Sequence, residues 1–189
     1  MKHAYLDTNV ILTLLRSQEE NYSFVQTLAS LRNFTFFTGT MTIIEITSVL
    51  AREENLFREA IQTLASELDI RELISLSFEE QIIIIIELLF KTFNLSVLDE
   101  PVQEILQING KKVILPSLYI LGIKWADRIK LRTLDLVHIM TILFYKKIKE
   151  IKFDYFITSD LVILGKRIDI QTNIETIVTD PEGLLKIET

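Results

Sequence analysis

Cysteine is absent from the 189-residue sequence, and histidine occurs only at His3 and His138. The absence of cysteine excludes disulfide bonds, thiolate nucleophiles and cysteine-based zinc sites. Two histidines are too few for a zinc site built from several histidine ligands. Any bound metal ion would therefore need oxygen ligands, which favours Mg²⁺ or Mn²⁺.

Glycine and proline are also scarce, with only 5 and 3 residues. Strand-rich sandwiches and barrels need frequent turn residues, so this composition excludes them and predicts a helix-rich chain. The length suits one compact domain over residues 1–189.

Apolar runs in the sequence are too short to span a membrane, for which roughly 20 residues are needed. The most apolar stretch is Ile82–Ile86, and Glu87 interrupts it. Asp7 interrupts the amino-terminal apolar run, and no cleavage site of a signal peptide follows. We therefore expect a cytoplasmic protein.

The net charge of −6 is unfavourable for binding nucleic acid, but the charge is unevenly distributed. Between Lys111 and Lys152 there are ten lysines or arginines and only three acidic residues. Two interpretations stay open for this segment. It is either the solvated face of two helices or a basic approach to a polyanion.

Hydrophobic periodicity predicts strands that alternate with helices. The predicted strands are His3–Leu6, Phe34–Thr38, Leu95–Leu98, Phe153–Ile157 and Ile168–Gln171. The predicted helices are Thr8–Arg16, Tyr22–Leu31, one from Thr40 or Thr42 to Arg52, Leu56–Leu68, Glu79–Phe93, Ser117–Lys130, Leu134–Lys149 with Thr133 as its cap, and one that opens at Asp160. Two segments are ambiguous: 70–78 is a strand or a loop, and 108–115 is a turn or a small hairpin. The alternation implies an α/β fold with a parallel sheet covered on both faces.

Four acidic residues stand out by their positions in these elements. Asp7 and Asp160 lie at or just after strand ends, where ligands bind in parallel sheets. Glu45 and Asp135 lie in helices that are otherwise largely apolar. Structural alternatives exist: a helix cap for Asp7, the edge of a buried face for Glu45 and a favourable first-turn position for Asp135. His138, one turn after Asp135, is interpreted as a structural hydrogen-bonding residue rather than a metal ligand.

We call these four residues, Asp7, Glu45, Asp135 and Asp160, the acid cluster. Neighbouring carboxylates repel one another unless a cation neutralises them. A set of oxygen ligands without His or Cys predicts Mg²⁺ or Mn²⁺. Such an ion can clamp a phosphate, activate a water and stabilise the leaving oxygen.

The motifs around the acid cluster are Tyr5-Leu-Asp-Thr-Asn-Val-Ile, the mid-helix Glu45, Leu131-Arg-Thr-Leu-Asp-Leu-Val-His and Phe156-Ile-Thr-Ser-Asp. In order and context they resemble the four acidic motifs of PIN-domain ribonucleases, and they are most similar to the VapC-type toxins of toxin–antitoxin pairs. Thr179-Asp-Pro-Glu resembles the proline-containing tail that often closes this family. The resemblance covers residues 1 to about 55 and about 117 to 183, and the segment of about 56–115 is a predicted insertion or elaboration.

The resemblance implies a three-layer α/β/α sandwich with a central parallel sheet and an enlarged middle segment. It also implies a metal-dependent endoribonuclease in which Asp7, Asp135 and Asp160 bind Mg²⁺ or Mn²⁺ directly or through water. Glu45 would orient the attacking water or bind a second ion, and hydrolysis would leave a 5′-phosphate and a 3′-hydroxyl. Two polar residues would hydrogen-bond the ligating acids, as metal sites generally require: Asn9 and Thr158.

The partners implied by the resemblance are an RNA substrate, a second copy of the chain in a homodimer and a cognate antitoxin protein. Three cations that precede the helix of Asp135 would contact the RNA backbone; we call Arg128, Lys130 and Arg132 the basic triplet. The apolar residues of Ile82–Ile86 and Leu88–Phe90 are more than one helix face requires. They predict a surface buried in the homodimer or against the antitoxin.

Three other functions stay open from the sequence. The chain is alternatively a processing or repair nuclease outside any toxin pair, or a catalytically silent PIN-like module that binds RNA or protein. A phosphatase-like enzyme with Asp7 as nucleophile is disfavoured, because such enzymes usually carry a second Asp two residues later and here that residue is Asn9.

Overall fold

The structure is a computed structural model that describes residues 1–64, 70–99 and 102–188. Its strands are β1 (Lys2–Leu6), β2 (Phe34–Gly39), β3 (Leu95–Leu98), β4 (Gln103–Ile108), β5 (Lys111–Pro116), β6 (Tyr155–Ile157) and β7 (Ile177–Thr179). Five of them form a parallel sheet in the order β3-β2-β1-β6-β7, so β1 lies at its centre. The other two, β4 and β5, form a separate antiparallel hairpin.

Helices connect the strands and pack on both faces of the sheet. They are α1 (Thr8–Thr13), α2 (Tyr22–Ala29), α3 (Met41–Arg52), α4 (Glu54–Leu64), α5 (Ile70–Ser75), α6 (Phe78–Phe93), α7 (Ser117–Ile129), α8 (Thr133–Ile148), α9 (Leu161–Gly165), α10 (Arg167–Ile174) and α11 (Pro181–Glu188). Over the ranges that the structure describes, no helix combines the length and the apolar character needed to cross a membrane.

Alternate side chains of the central strands belong to two separate apolar cores, one on each face of the sheet. Ala4 and Leu6 of β1 lie in the core with buried residues of α1, α3 and α6, and Ile157 of β6 joins them. Tyr5 and Phe156 point the other way, into the core with α8 and α10. This alternation is the two-residue period of a strand buried on both faces. The predicted three-layer α/β/α sandwich with a central parallel sheet is therefore confirmed.

Most predicted elements are found close to their predicted bounds. Four of the five predicted strands coincide with β1, β2, β3 and β6, although β6 is shorter than predicted. The ambiguous segment 108–115 belongs to the hairpin of β4 and β5. Its turn is Asn109-Gly110, where φ is 49° and 75°. Positive φ at both central residues matches the twist of the flanking strands, which explains the Asn-Gly pair.

Two predictions in less regular segments are wrong. Residues 70–75 form helix α5 rather than a strand or a loop, and Ile168–Gln171 lies in helix α10 rather than in the last strand, which is β7. Ile168 and Ile170 alternate as they would in a strand, but Ile170 and Ile174 are both fully buried. That four-residue spacing is a helix face. The end of the predicted helix Leu56–Leu68, beyond Leu64, lies outside the described residues.

The middle segment of about 56–115 supplies two parts of the main fold, since β3 extends the sheet and α6 packs into the first core. Ile82, Ile85 and Leu89 of α6 are buried there. Among Ile82–Ile86 and Leu88–Phe90, only Ile83 is largely exposed, at 54%. The apolar surface predicted to contact a partner is thus mostly used by the protein's own core.

The predicted threonine caps do not form. Thr40 occupies the N-cap position of α3 without a side-chain cap bond, and Thr133 is the first residue of α8 rather than its cap. Thr42 instead shares a 2.6 Å hydrogen bond with Thr38, which is fully buried and also donates to the backbone carbonyl of Leu6 at 3.0 Å. This pair of threonines ties α3 to β1 and β2 beside the carboxyl end of β1.

Replacing Thr38 by Val should lower the free energy of unfolding by about 1–3 kcal/mol. The reason is that the buried Leu6 carbonyl and the Thr42 hydroxyl each lose a hydrogen-bond partner. Urea denaturation measures the change. The matched control is Thr35→Val on the same strand, at a half-buried position. Equal stability losses in the two variants would show that the Thr38 hydrogen bonds contribute nothing specific.

Candidate active site

The carboxyl edge of the sheet opens into a cleft with a volume of about 440 Å³. The residues of the acid cluster come from four different elements: Asp7 follows β1, Asp160 precedes α9, Glu45 lies in α3 and Asp135 lies in the first turn of α8. All four line this cleft. The structure therefore brings together the four acids that the sequence singled out.

Asp7 is both a helix cap and a member of the acid cluster. Its Oδ1 accepts a hydrogen bond from the backbone N–H of Thr8 at 2.7 Å, as the N-cap of α1. Its Oδ2 accepts from the hydroxyl of Thr158 at 2.6 Å. Burial raises the pKa of Asp7, although His138 and the Thr158 hydroxyl act against this rise. The Asp7 carboxylate therefore caps α1 and also belongs to the acid cluster, so the two interpretations of this residue do not exclude each other.

Asp160 caps α9 in the same way, since its Oδ1 accepts from the backbone N–H groups of Val162 at 2.6 Å and Ile163 at 3.2 Å. The hydroxyl of Thr158 accepts from the backbone N–H of Asp160 at 3.0 Å. Thr158 therefore links the two strand-end acids. The amide of Asn9 contacts Thr158 at 3.4 Å and accepts from the backbone of Ser159 at 3.1 Å. Direct hydrogen bonds to the acids were predicted for Asn9 and for Thr158. Thr158 makes such a bond to Asp7, whereas Asn9 contacts the acid cluster only through Thr158 in these contacts.

Asp135 has a buried carboxylate oxygen, Oδ2, without a hydrogen-bond partner among the described residues. Burial, Asp160 and Asp7 together raise the pKa of Asp135, while Arg132 lowers it. A buried oxygen without a donor is rare and costly in native proteins. A cation in the cleft would give this oxygen a partner and remove the repulsion from Asp160 and Asp7. The acid cluster therefore fits a divalent metal ion with oxygen ligands.

Glu45 is held by two donors that the sequence did not predict as part of the site. His138 Nε2 lies 2.8 Å from Glu45 Oε2, and the hydroxyl of Thr8 donates to the same oxygen. Burial acts to raise the pKa of Glu45, but these hydrogen bonds outweigh it and lower the pKa. The pKa of Glu45 is thus shifted in the opposite direction from those of Asp7 and Asp135.

His138 hydrogen-bonds as the sequence predicted, but its partners place it beside the acid cluster, which the sequence did not predict. It is 1% exposed, and its Nε2 also lies 3.6 Å from Asp7 Oδ1. Burial acts to lower the pKa of His138, but Tyr5, Glu45 and Asp7 outweigh it and hold that pKa well above its ordinary value. The neighbouring acidic groups therefore favour the protonated form of the ring. Its position one turn after Asp135 was the available signal.

Asp7, Glu45 and His138 also place one potential ligand atom each within 4.8 Å of one another. The Nε2 atom of His138 lies 2.8 Å from Glu45 Oε2, so this contact already occupies the nitrogen that would face an ion. Asp135 and Asp160 line the same cleft and add carboxylate oxygens, which Mg²⁺ and Mn²⁺ prefer as ligands.

The basic triplet lies at the corner between α7 and α8, outside the residues that line the cleft. All three side chains are exposed, and the Arg128 guanidinium sits 5.1 Å from the ring centre of Trp125. Arg132 is close enough to Asp135 to lower the pKa of that residue. The cations that line the cleft itself are Arg16 and Arg52, which the sequence did not single out.

Replacing Asp135 by Asn should raise the melting temperature of the metal-free protein at pH 7 by a few degrees. The reason is that ionised Asp135 is disfavoured by burial and by two neighbouring carboxylates. The pKa of Asp135 is raised in the folded state. Ionisation of Asp135 therefore does not destabilise the fold below the ordinary pKa of Asp, about 3.9, and destabilises it increasingly as the pH rises through the raised pKa. The gain should therefore vanish near pH 4.

The same variant should lose most of the stabilisation by Mn²⁺, which for a bound ion at 100 times its Kd is about 2.7 kcal/mol. Thermal melts in EDTA and in Mn²⁺ measure both effects. Asp127→Asn, at an exposed position on α7, is the control. A metal-free Asp135→Asn protein that melts below the wild type would mean that Asp135 is primarily structural.

Comparison with known proteins agrees with this geometry. The PIN domain family matches residues 4–160, a range that includes all members of the acid cluster. In sequence, no curated protein matches the chain. The fold is similar to a chain in the crystal structure of VapBC2 from Rickettsia felis bound to a DNA fragment from their promoter, with a TM-score of 0.51 and 9% identity over 94% of this chain and 98% of that chain. The family match confirms the resemblance found in the motifs, and the chain belongs to the PIN domain family.

Proposed function

We propose that the protein is an endoribonuclease that depends on Mg²⁺ or Mn²⁺ and acts as the toxin of a toxin–antitoxin pair. The observation that carries the proposal is the acid cluster: four carboxylates from four elements line one cleft of a PIN domain, and one of their buried oxygens has no partner among the described residues. Such a group is costly to assemble unless it binds a cation.

Asp7, Asp135 and Asp160 would hold the ion through their carboxylates. When bound, it would neutralise charge on the phosphate and lower the pKa of water. Thr158 orients Asp7 by its 2.6 Å hydrogen bond, and the side-chain amide of Asn9 donates a hydrogen bond to the Thr158 hydroxyl. Supporting hydrogen bonds of this kind orient ligating residues and tune the site.

Glu45 would orient the attacking water from the α3 side of the cleft, or help to hold a second ion. In the hydrolysis, the water oxygen bonds to phosphorus, the bond between phosphorus and O3′ breaks, and O3′ leaves as a hydroxyl. The products are a 5′-phosphate and a 3′-hydroxyl. Because Glu45 is ionised and held by two donors, it can accept a hydrogen bond from the water in a fixed direction.

The substrate proposed is RNA, which would enter along the basic triplet. The exposed cations of the triplet adjoin the start of α8, which carries Asp135 in its first turn. Contacts to phosphates position a nucleic acid without reading its sequence. The overall charge of −6 does not prevent this, because the basic segment between Lys111 and Lys152 is separate from the acidic remainder.

The proposed partners are a protein antitoxin and a second copy of the chain in a homodimer, both in the cytoplasm. The similar solved structure is a VapBC2 complex bound to promoter DNA, and this supports an antitoxin as partner. The homodimer no longer draws support from α6, whose apolar residues lie mostly in the core. A small adjacent gene that encodes an antitoxin would favour the toxin over a processing nuclease.

Incubation with single-stranded RNA should give cleavage in Mn²⁺ and none in EDTA, with 5′-phosphates at the new ends. Glu45→Gln should slow cleavage at least about 100-fold, the lower range for loss of a positioned acid or base. Glu87→Gln, at an exposed position on α6, is the matched control and should cleave like the wild type. Cleavage that is independent of metal, or unaffected in Glu45→Gln, would refute the proposal. A chain that binds RNA without cleaving it would be a silent PIN module.

Changing Arg128, Lys130 and Arg132 together to Gln should weaken RNA binding in EDTA and flatten its salt dependence. Three lost phosphate contacts should reduce the slope of log K against log salt by about 2, since each contact on a single strand contributes about 0.7. Cleavage of a dinucleotide should change less, because it offers few phosphates.

The matched control removes the same charge at exposed positions elsewhere on the surface: Arg32, Arg58 and Lys91. Binding measured across a salt series compares the two triple variants. If their slopes are equal, the basic triplet is only a solvated face.

A further inference from the structure

A continuous hydrogen-bonded chain runs from the core to the cleft. The hydroxyl of Tyr5 lies 2.9 Å from His138 Nδ1, and His138 Nε2 lies 2.8 Å from Glu45 Oε2. Tyr5 and His138 are almost completely buried, whereas the Glu45 side chain is 19% exposed. The chain thus begins in the interior and ends on the one carboxylate that reaches the cleft from α3.

The protein leaves space for the first member of this chain at Gly39. A Cβ atom at that position would lie 2.8 Å from the Tyr5 hydroxyl and 3.4 Å from Thr141. Among the described glycines only Gly110 has a positive φ, so the backbone at Gly39 does not itself require glycine. The missing side chain is explained by the room that the hydroxyl needs.

Stability alone gives no reason for this arrangement. Polar groups buried in a core cost free energy that hydrogen bonds only offset, and apolar residues of similar size are often equally stabilising or better. Tyr5 and His138 lie among apolar neighbours of the second core, including Ile139 and Phe156. The hydrogen-bonded series reaches the cleft only through Glu45. We therefore look for its effect at the Glu45 carboxylate.

The donors to Glu45 converge on one oxygen. His138 and Thr8 both contact Oε2, and Oε1 has no hydrogen bond to the described residues. Two donors from different elements fix both the position and the rotation of the carboxylate. Oε1 is then the oxygen available to a water or an ion in the cleft.

We infer that Tyr5 and His138 are positioning residues, which act on phosphodiester hydrolysis only by holding the Glu45 carboxylate in a fixed orientation. The inference rests on the proposed function for its effect on rate, but the hydrogen-bonded chain itself is testable without activity. Tyr5 is the informative position, because it touches neither the cleft nor Glu45 and reaches both through His138.

Tyr5→Phe removes only the hydroxyl, and Tyr155→Phe is its matched control. Tyr155 is also buried, lies on the neighbouring strand β6 and bonds Glu188, away from the cleft. With saturating Mn²⁺ and RNA, Tyr5→Phe should lower the single-turnover rate about 10–100-fold, the usual effect of removing a supporting hydrogen bond. RNA affinity in EDTA should not change. Equal rates for Tyr5→Phe and Tyr155→Phe would overturn the inference.

Nuclear magnetic resonance of the metal-free protein supplies a readout that does not depend on cleavage. The chain contains only two histidines, so the ring nitrogen signals of His138 are assigned by removing His3. Tyr5→Phe should move both the ring signals of His138 and the carboxyl carbon signal of Glu45, and Tyr155→Phe should move neither. An unmoved Glu45 signal in Tyr5→Phe would overturn the inference, whether or not the wild type cleaves RNA. A wild-type protein that cleaves no RNA would refute only the proposed function.

Variants of His138 test the same hydrogen-bonded series if Tyr5→Phe folds poorly. Glutamine places its amide nitrogen the same number of bonds from Cα as Nε2 of histidine, so His138→Gln keeps a donor for Glu45 and His138→Ala does not. We expect His138→Gln to cleave faster than His138→Ala at equal fractions of folded protein. Equal rates in these two variants would show that the donor to Glu45 has no role.

Discussion

Mutual repulsion of carboxylates at the edge of a parallel sheet is the constraint on which this structure depends. The acid cluster gathers four negative groups from four elements into one cleft, where burial weakens the screening by water. The protein answers with hydrogen bonds: Thr158 and the start of α1 hold Asp7, two backbone N–H groups hold Asp160, and His138 with Thr8 holds Glu45. Asp135 keeps one oxygen that no group in the described part of the protein pairs. The compensation is incomplete, and the remainder suits a divalent cation.

The helices and sheet contribute to this balance beyond placing the side chains. Asp7 and Asp160 each cap the helix that follows a central strand, so their negative charge faces the positive end of a helix. His138 Nε2 lies 2.8 Å from Glu45 and 3.6 Å from Asp7, and these carboxylates favour the protonated form of its ring. Hydrogen bonds and helix ends therefore hold the acids close together in this protein. The candidate site is thus pre-organised by the fold itself.

The sequence predicted those parts of the fold and site that follow from local pattern. Asp7 and Asp160 were found because strand ends in a parallel sheet share one edge, and Glu45 and Asp135 because acids are unusual in apolar helices. His138 was undervalued because its role depends on Tyr5 and Glu45, which lie 133 and 93 residues away in sequence. Ile168–Gln171 was predicted wrongly because four residues are too few to separate the two periods, and the helical spacing appears only with Ile174. Arg16 and Arg52 were missed because only tertiary packing brings the segment after α1 and the end of α3 to the cleft.

Metal binding by the acid cluster is the proposal on which the proposed function depends. Anomalous X-ray diffraction from crystals grown with Mn²⁺ tests it most directly, because manganese is located by element rather than by inference from ligands. We expect a manganese peak in the cleft, bound by Asp135 Oδ2 together with Asp7 or Asp160, with the His138 ring still hydrogen-bonded to Glu45. An empty cleft at saturating Mn²⁺, or a peak held by residues outside the acid cluster, would contradict it.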